Sequence, residues 1–199
     1  MIAQDPSTHP GSIIRINLDG TIPNDNPGLK KFTNWLPEII TIGVRNPQGI
    51  AISPHDGEIY FSQHGPRGGD NIGKIFVGGN YGWKDIAWGG REYFGPKIGD
   101  SAFKEKYNKP IISWVPSIGV GQIAFYSGDT FKEWEGDLIG SAAQAGLIFR
   151  LNYQNGKIID KEIILQGDIG RIRDFEIDEA GDFYVVVDDK DSFLWKISK

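Results

Sequence analysis

Cysteine is absent from the 199 residues, which excludes disulfide frameworks and thiolate metal sites and leaves either redox compartment open. Histidine occurs only at His9, His55 and His64, so few side chains can move a proton near neutral pH. Basic runs are missing too. Lys and Arg number 21 against 26 Asp and Glu, a net charge of −5, and this balance argues against a nucleic-acid partner. No stretch approaches the ~20 apolar residues of a membrane span. The opening MIAQDPSTHPG shows neither the basic nor the apolar region of a signal peptide. No P-loop, G-x-S-x-G elbow, H-E-x-x-H or EF-hand pattern occurs, and GGDNIG (68–73) lacks the spacing of a dinucleotide fingerprint.

What is present reads as strands and turns. Short segments rich in β-branched and aromatic residues recur: IIRINL (13–18), GIAIS (49–53), EIYFSQ (58–63), KIFVG (74–78), QIAFYS (122–127) and DLIGSA (137–142). LIFRLN (147–152), KIIDKEIIL (157–165), RDFEID (173–178), DFYVVVD (182–188) and FLWKIS (193–198) continue the series. Reversals are expected at LDGT (18–21), HDGE (55–58), QNGK (154–157) and EAGD (179–182). Stretches 48–62, 121–142 and 173–188 align as an internal repeat of strand, Gly-containing turn and strand. Such a repeat is the mark of propeller blades. The spacing predicts an all-β chain of about three to four blades, with 84–116 inserted between two of them. A β-sandwich is the alternative. Three or four blades would leave sheet edges and apolar faces open, so self-association or a separate N-terminal half is expected to cover them.

Three motifs crowd the stretch from Arg45 to Trp83: RNPQG (45–49), QHGPRGGD (63–70) and GGNYGW (78–83). Glycine this dense shapes backbone for close approach. Farther on, Arg171-Ile172-Arg173 on a strand would send both guanidiniums to one face, where planar forks match carboxylates. Surface ion pairs with Asp168 or Asp174 are the other reading of these arginines. HGPRGGD can equally be a long turn in which His64 and Asp70 cap backbone groups.

The order and spacing of these motifs resemble the soluble quinoprotein sugar dehydrogenases, the glucose/sorbosone dehydrogenase family that uses pyrroloquinoline quinone (PQQ), over nearly the whole chain from about Gln4. The resemblance implies the C-terminal part of a six-bladed propeller and oxidation of an aldose or polyol hydroxyl, with electrons leaving to an acceptor protein or dye. It implies that Arg45, Asn46, Arg171 and Arg173 face PQQ and that the carbonyls of Gly65 and Pro66 hold Ca²⁺. Tyr81 matches a residue of a second, structural calcium site, where the pattern HGPRGGDE expects an acid; this chain has Asn71 there. Where family members read G-S-L-K, this chain has Gly140-Ser141-Ala142-Ala143, so Ala143 and Gln144 stand beside the cofactor without a lysine's charge. The family's histidine base lies upstream of RNPQG, and none of the three histidines here matches it. Export to the periplasm or beyond is implied by the resemblance alone. A propeller used as a non-catalytic binding module, its quinone site decayed, is the competing class. A metal-dependent hydrolase on a similar propeller lacks its cluster of carboxylates.

Overall fold

The computed structural model describes residues 1–154 and 156–199. The N-terminal part contains β1 (Ile13–Ile14), the four-residue helix α1 (Pro27–Lys30), β2 (Ile39–Ile42), β3 (Pro47–Ile52), β4 (Ile59–Gln63), β5 (Asp70–Lys74) and β6 (Gly79–Asn80). Then come β7 (Ile112–Trp114), β8 (Val120–Phe125), β9 (Leu138–Ala142), β10 (Leu147–Gln154) and β11 (Lys157–Gln166). The last three strands are β12 (Ile172–Ile177), β13 (Phe183–Val187) and β14 (Leu194–Ile197). They form four sheets in the orders β1-β2-β6, β3-β4-β5-β7, β8-β9-β10-β11 and β12-β13-β14. The two middle sheets are four-stranded and antiparallel throughout.

Alternation along the strands explains how the sheets stack. Successive strand residues point to opposite faces, and in β10 Leu147, Phe149, Leu151 and Tyr153 join one core while Ile148 joins the next. Leu138 and Ile139 divide in the same way. Tyr60 of β4 enters the core shared with β8–β11, whereas its neighbour Phe61 packs with Ile40, Val44, Ile75 and Tyr81. Each inner sheet therefore buries both faces, as propeller blades do.

The structure departs from the sequence expectations at several strands. KIFVG enters a sheet only at Lys74, because the chain turns at Gly78, whose φ is +76° and whose N–H bonds to Ile40. IIRINL pairs only at Ile13 and Ile14, after which Asn17 and Thr21 close a loop. β7 lies within 84–116 and forms the outer strand of the second sheet. The reversals at HDGE and EAGD place Gly57 and Gly181 at φ +69° and +94°. QNGK includes Asn155, which lies outside the described residues.

The 84–116 segment is tied down by charge. The Asp85 carboxylate accepts from Lys104 Nζ at 2.8 Å and the Tyr107 hydroxyl at 2.8 Å, with Lys106 Nζ at 3.2 Å. The hydrogen bond from Lys104, then that from Tyr107, holds the carboxyl well below the usual carboxylate range. A depressed folded-state pKa contributes stability above the unfolded value, about pH 4, and the contribution is lost as pH falls below it. Asp85→Asn should therefore lower the melting temperature at pH 7, with the gap to wild type starting to narrow below about pH 4 and closing only as the pH falls through the depressed folded-state value. Melting curves across pH check this; a gap that persists in acid would assign the loss to packing.

The fourth sheet leaves apolar groups open. Phe193, Leu194 and Val186 are exposed, as are Ile50 and Ile52 on β3.

Candidate functional site

Three strands, β3, β8 and β12, run side by side and begin at one end. A Cβ on Gly49 would come within 2.8 Å of the Ile123 nitrogen, and one on Gly121 within 3.3 Å of the Arg173 carbonyl. Turns gather at the same end. His64 N–H donates to the Asn46 carbonyl (2.9 Å), Ala143 N–H to the Gly119 carbonyl (2.8 Å) and Asp188 N–H to the Arg171 carbonyl (2.7 Å). The backbone thus collects Arg45–Asn46, Gly65–Pro66, Ala143–Gln144 and Arg171–Arg173 around the starts of three strands.

Asp70 fixes that end. Its buried carboxylate accepts from Gly65 N–H at 2.8 Å, Gly119 N–H at 2.6 Å and Val120 N–H at 2.9 Å. One side chain therefore joins the HGPRGGD turn to the start of β8 and satisfies the half-buried N–H of Gly119 and two donors, of Gly65 and Val120, that burial would otherwise orphan. Gly65 has no alternative at its position: a Cβ there would sit 2.4 Å from the Gly69 carbonyl carbon.

A cavity of about 20 Å³, large enough for one water, is lined by Arg45, His64, Gly65, Pro66, Asn71, Tyr81 and neighbouring residues. Arg45 is half-buried, donates from Nη1 to the His64 carbonyl (3.3 Å) and lies 5.2 Å from the centre of the Trp83 ring. Its backbone N–H donates to Gln63 Oε1 at 2.8 Å. Gly65 and Pro66 are buried, and neither carbonyl receives a hydrogen bond from the described residues.

Ala143, Gln144, Arg171 and Arg173 do not line this cavity. Ala143 is buried and Gln144 exposed. Arg173 donates to Asp188 Oδ2, which Arg171 Nε approaches at 3.8 Å. The Arg173 hydrogen bond and charge, then the charge of Arg171, hold the Asp188 carboxyl below its ordinary value. The arginines' partner is thus Asp188 on the β13 side, not Asp168 or Asp174. Sequence spacing gave no sign of it, because the pairing depends on β12 lying against β13.

The histidines separate cleanly. His9 pairs with Glu38 at 2.7 Å on the surface, and His55 Nε2 contacts the Gly136 carbonyl at 2.8 Å. Only His64 lines the cavity.

A protein-family model described as glucose/sorbosone dehydrogenase matches residues 1–196. The chain belongs to the glucose/sorbosone dehydrogenase family. Aldose sugar dehydrogenase YliI of Escherichia coli K12 is 34% identical over 98% of this chain and 53% of its own length. A crystal structure of a glucose dehydrogenase superposes with a TM-score of 0.93 at 33% identity, over 100% of this chain and 57% of that one. The chain therefore spans about half the length of the relatives it matches. A PQQ-bound aldose sugar dehydrogenase from Streptomyces coelicolor shares the fold, with a TM-score of 0.77 at 21% identity over 98% of this chain and 54% of that one. No helix among the described residues is long and apolar enough to cross a membrane.

The residues present fit one family calcium and not the other. Two adjacent buried carbonyls with no donor, at Gly65 and Pro66, suit a hard cation. At the second position, Asn71 Oδ1 already accepts from Gln63 Nε2 (3.1 Å) and the Tyr81 hydroxyl donates to the Lys74 carbonyl (2.6 Å). Tyr81 is also packed edge-on against Phe61. Among the described residues no group of three His, Asp or Glu side chains gathers there or elsewhere. Asn71 and Tyr81 thus do not fit a structural calcium.

Proposed function

We propose that this chain forms the cofactor-anchoring part of a PQQ- and calcium-dependent dehydrogenase that oxidises an aldose or related polyol. One observation carries the reading: Arg45, a half-buried cation with no carboxylate partner among the described residues, lines one cavity with Gly65 and Pro66, whose carbonyls accept no hydrogen bond from the described residues. A cation partly withdrawn from water favours a counter-charge and bare carbonyls favour a hard cation; a carboxylate-bearing ligand with a bridging cation would supply both. When bound, PQQ provides a hydride-accepting quinone, and calcium polarises its carbonyl.

This chain's own groups bind and orient. Arg45 and Asn46 would hold one edge of the ligand, Arg171 and Arg173 another, and the Gly65 and Pro66 carbonyls the cation. Gln144, beside Ala143, can offer a hydrogen bond where a lysine would offer charge. The sugar and an electron acceptor (a protein or dye) would be the chain's partners, with the rest of the ring supplied by further residues of the same protein, by a separate N-terminal half or by a second copy.

The test is an absorbance titration with PQQ, with calcium present and with EDTA. Binding should require calcium. Arg45→Ala should weaken it by about 1.5–3 kcal/mol, the range for a hydrogen bond to a charged group. Arg173→Ala should cost less, because the ligand must first displace Asp188. Affinity indifferent to Arg45 and to calcium would remove the site. Binding without turnover under any completion of the ring would favour the second reading, a non-catalytic module; the absence of a lysine's charge at Ala143 favours that reading.

A further inference from the structure

Trp83 ends the GGNYGW motif and has no part in the roles assigned so far. We propose that Trp83 is the positioning residue of Arg45: it holds the guanidinium in place without neutralising it, leaving its donors for an anionic ligand. The proposal rests on the cofactor reading of Arg45.

Arg15, Arg150, Arg171 and Arg173 each pair with a carboxylate. Arg45 pairs with none among the described residues, although it is half-buried. An arginine side chain carries roughly 2 kcal/mol of rotamer entropy, so one without an ion pair needs another restraint. Here the restraint is a face. The guanidinium carbon lies 5.2 Å from the Trp83 ring centre, within cation–π range, and planar guanidinium stacks well on an aromatic surface.

The platform is fixed to the same stretch of chain as its load. Trp83 N–H donates to the Gly43 carbonyl at 2.9 Å, two residues before Arg45, and Arg45 N–H is taken by Gln63 Oε1. The difference from Arg173 lies in what each restraint consumes. A carboxylate partner occupies N–H donors and cancels charge; an aromatic face does neither, because the donors lie in the guanidinium plane. Of the Arg45 side-chain donors, Nη1 has a partner in the His64 carbonyl. Its remaining donors have no partner among the described residues, and Arg45 lines the same cavity as Gly65 and Pro66.

The test compares Trp83→Phe, which keeps a π face, with Trp83→Leu, which keeps apolar bulk, in wild-type and Arg45→Ala backgrounds. Circular dichroism verifies that each variant folds. With PQQ and calcium as the probe, Trp83→Phe should bind within about twofold of wild type and Trp83→Leu about 3- to 30-fold more weakly, the span of cation–π energies. In Arg45→Ala the Leu substitution should add nothing, as coupling through one residue requires. Equal losses in both backgrounds would overturn the proposal. An Arg45→Ala variant that binds PQQ as wild type does would overturn the cofactor reading instead. The stack itself is read without cofactor: Arg45 side-chain proton resonances should lie upfield in wild type and Trp83→Phe, and return to ordinary positions in Trp83→Leu. Ordinary positions in the wild type would overturn the proposal whatever PQQ does.

Discussion

Asp70→Ala is expected to destabilise the chain by roughly 2–6 kcal/mol, since each buried N–H left without an acceptor costs about 1–3 kcal/mol and two buried ones, of Gly65 and Val120, lose theirs along with the half-buried N–H of Gly119. Gly65, Gly119 and Val120 donate to this one carboxylate from two different sheets or their connections. No water-exposed route replaces it, because Asp70, Gly65 and Val120 are all buried. A loss of that size is a large part of the ~5–15 kcal/mol that keeps a domain folded. Asp70→Asn should fall between, since one oxygen survives as an acceptor and the amide presents a donor to the other N–H groups. Urea unfolding measures the size of the effect. Hydrogen exchange shows its place: the Gly65, Gly119 and Val120 amides should lose protection together in Asp70→Asn. If Gly65 alone opened, Asp70 would be a local turn cap and not the link between the two sheets.

That link shows where sequence reading reaches its limit. β-branched and aromatic content marked β3, β4 and β8 to β14, and in β10 and β13 burial alternates with the period of two that a strand needs when its faces differ. β2 went unmarked although Ile39 to Ile42 are β-branched throughout: its four residues are all buried and show no alternation, and periodicity alone cannot type so short an apolar run. β5 was hidden inside a motif: DNIGK reads as glycine-rich loop, yet it is a buried central strand. Its Gly73 is there for Tyr81, whose hydroxyl would lie 2.5 Å from a Cβ. β7, three residues in a Pro-rich segment, is held by its pairing with β5 and has little local signal.

The site divides in the same way. The motifs located Arg45, Gly65 and Pro66, which do share a cavity, because all three lie within one short stretch of chain. The sequence left open whether Asp70 was a local cap; that it reaches Gly119 and Val120, about fifty residues away, depends on two sheets meeting. Asp188 and Trp83 were missed for different reasons. Asp188 reaches Arg173 only across the β12–β13 pair. Trp83 was in view as the last letter of GGNYGW, and its nearness to Arg45 follows from the Gly43–Trp83 backbone bond.

The largest expected effect is on turnover: the 199-residue chain alone, supplied with PQQ and calcium, should show no measurable oxidation of glucose. Hydride leaves a hydroxyl-bearing carbon only as a base takes the hydroxyl proton, and a positioned base contributes about 10²–10⁴-fold. His9 is held by Glu38 at the surface, and His55 by the Gly136 carbonyl. Orientation of the sugar adds a further factor that can exceed the base's, and the chain spans only about half of its relatives' length. β3 leaves Ile50 and Ile52 exposed, as an apolar face awaiting a neighbour would be. Dye-coupled reduction across a panel of aldoses reads the outcome, run beside a protein completed with N-terminal blades. Activity that appears only on completion would identify this chain as the anchoring part of a working dehydrogenase, with the base supplied by the added blades. Activity in neither would leave a quinone-binding or decayed module. Robust activity in the chain alone would place the base within it, and His64, the one histidine lining the cavity beside Gly65 and Pro66, would be the first residue to mutate: if it is the base, His64→Ala should abolish turnover while leaving PQQ affinity intact.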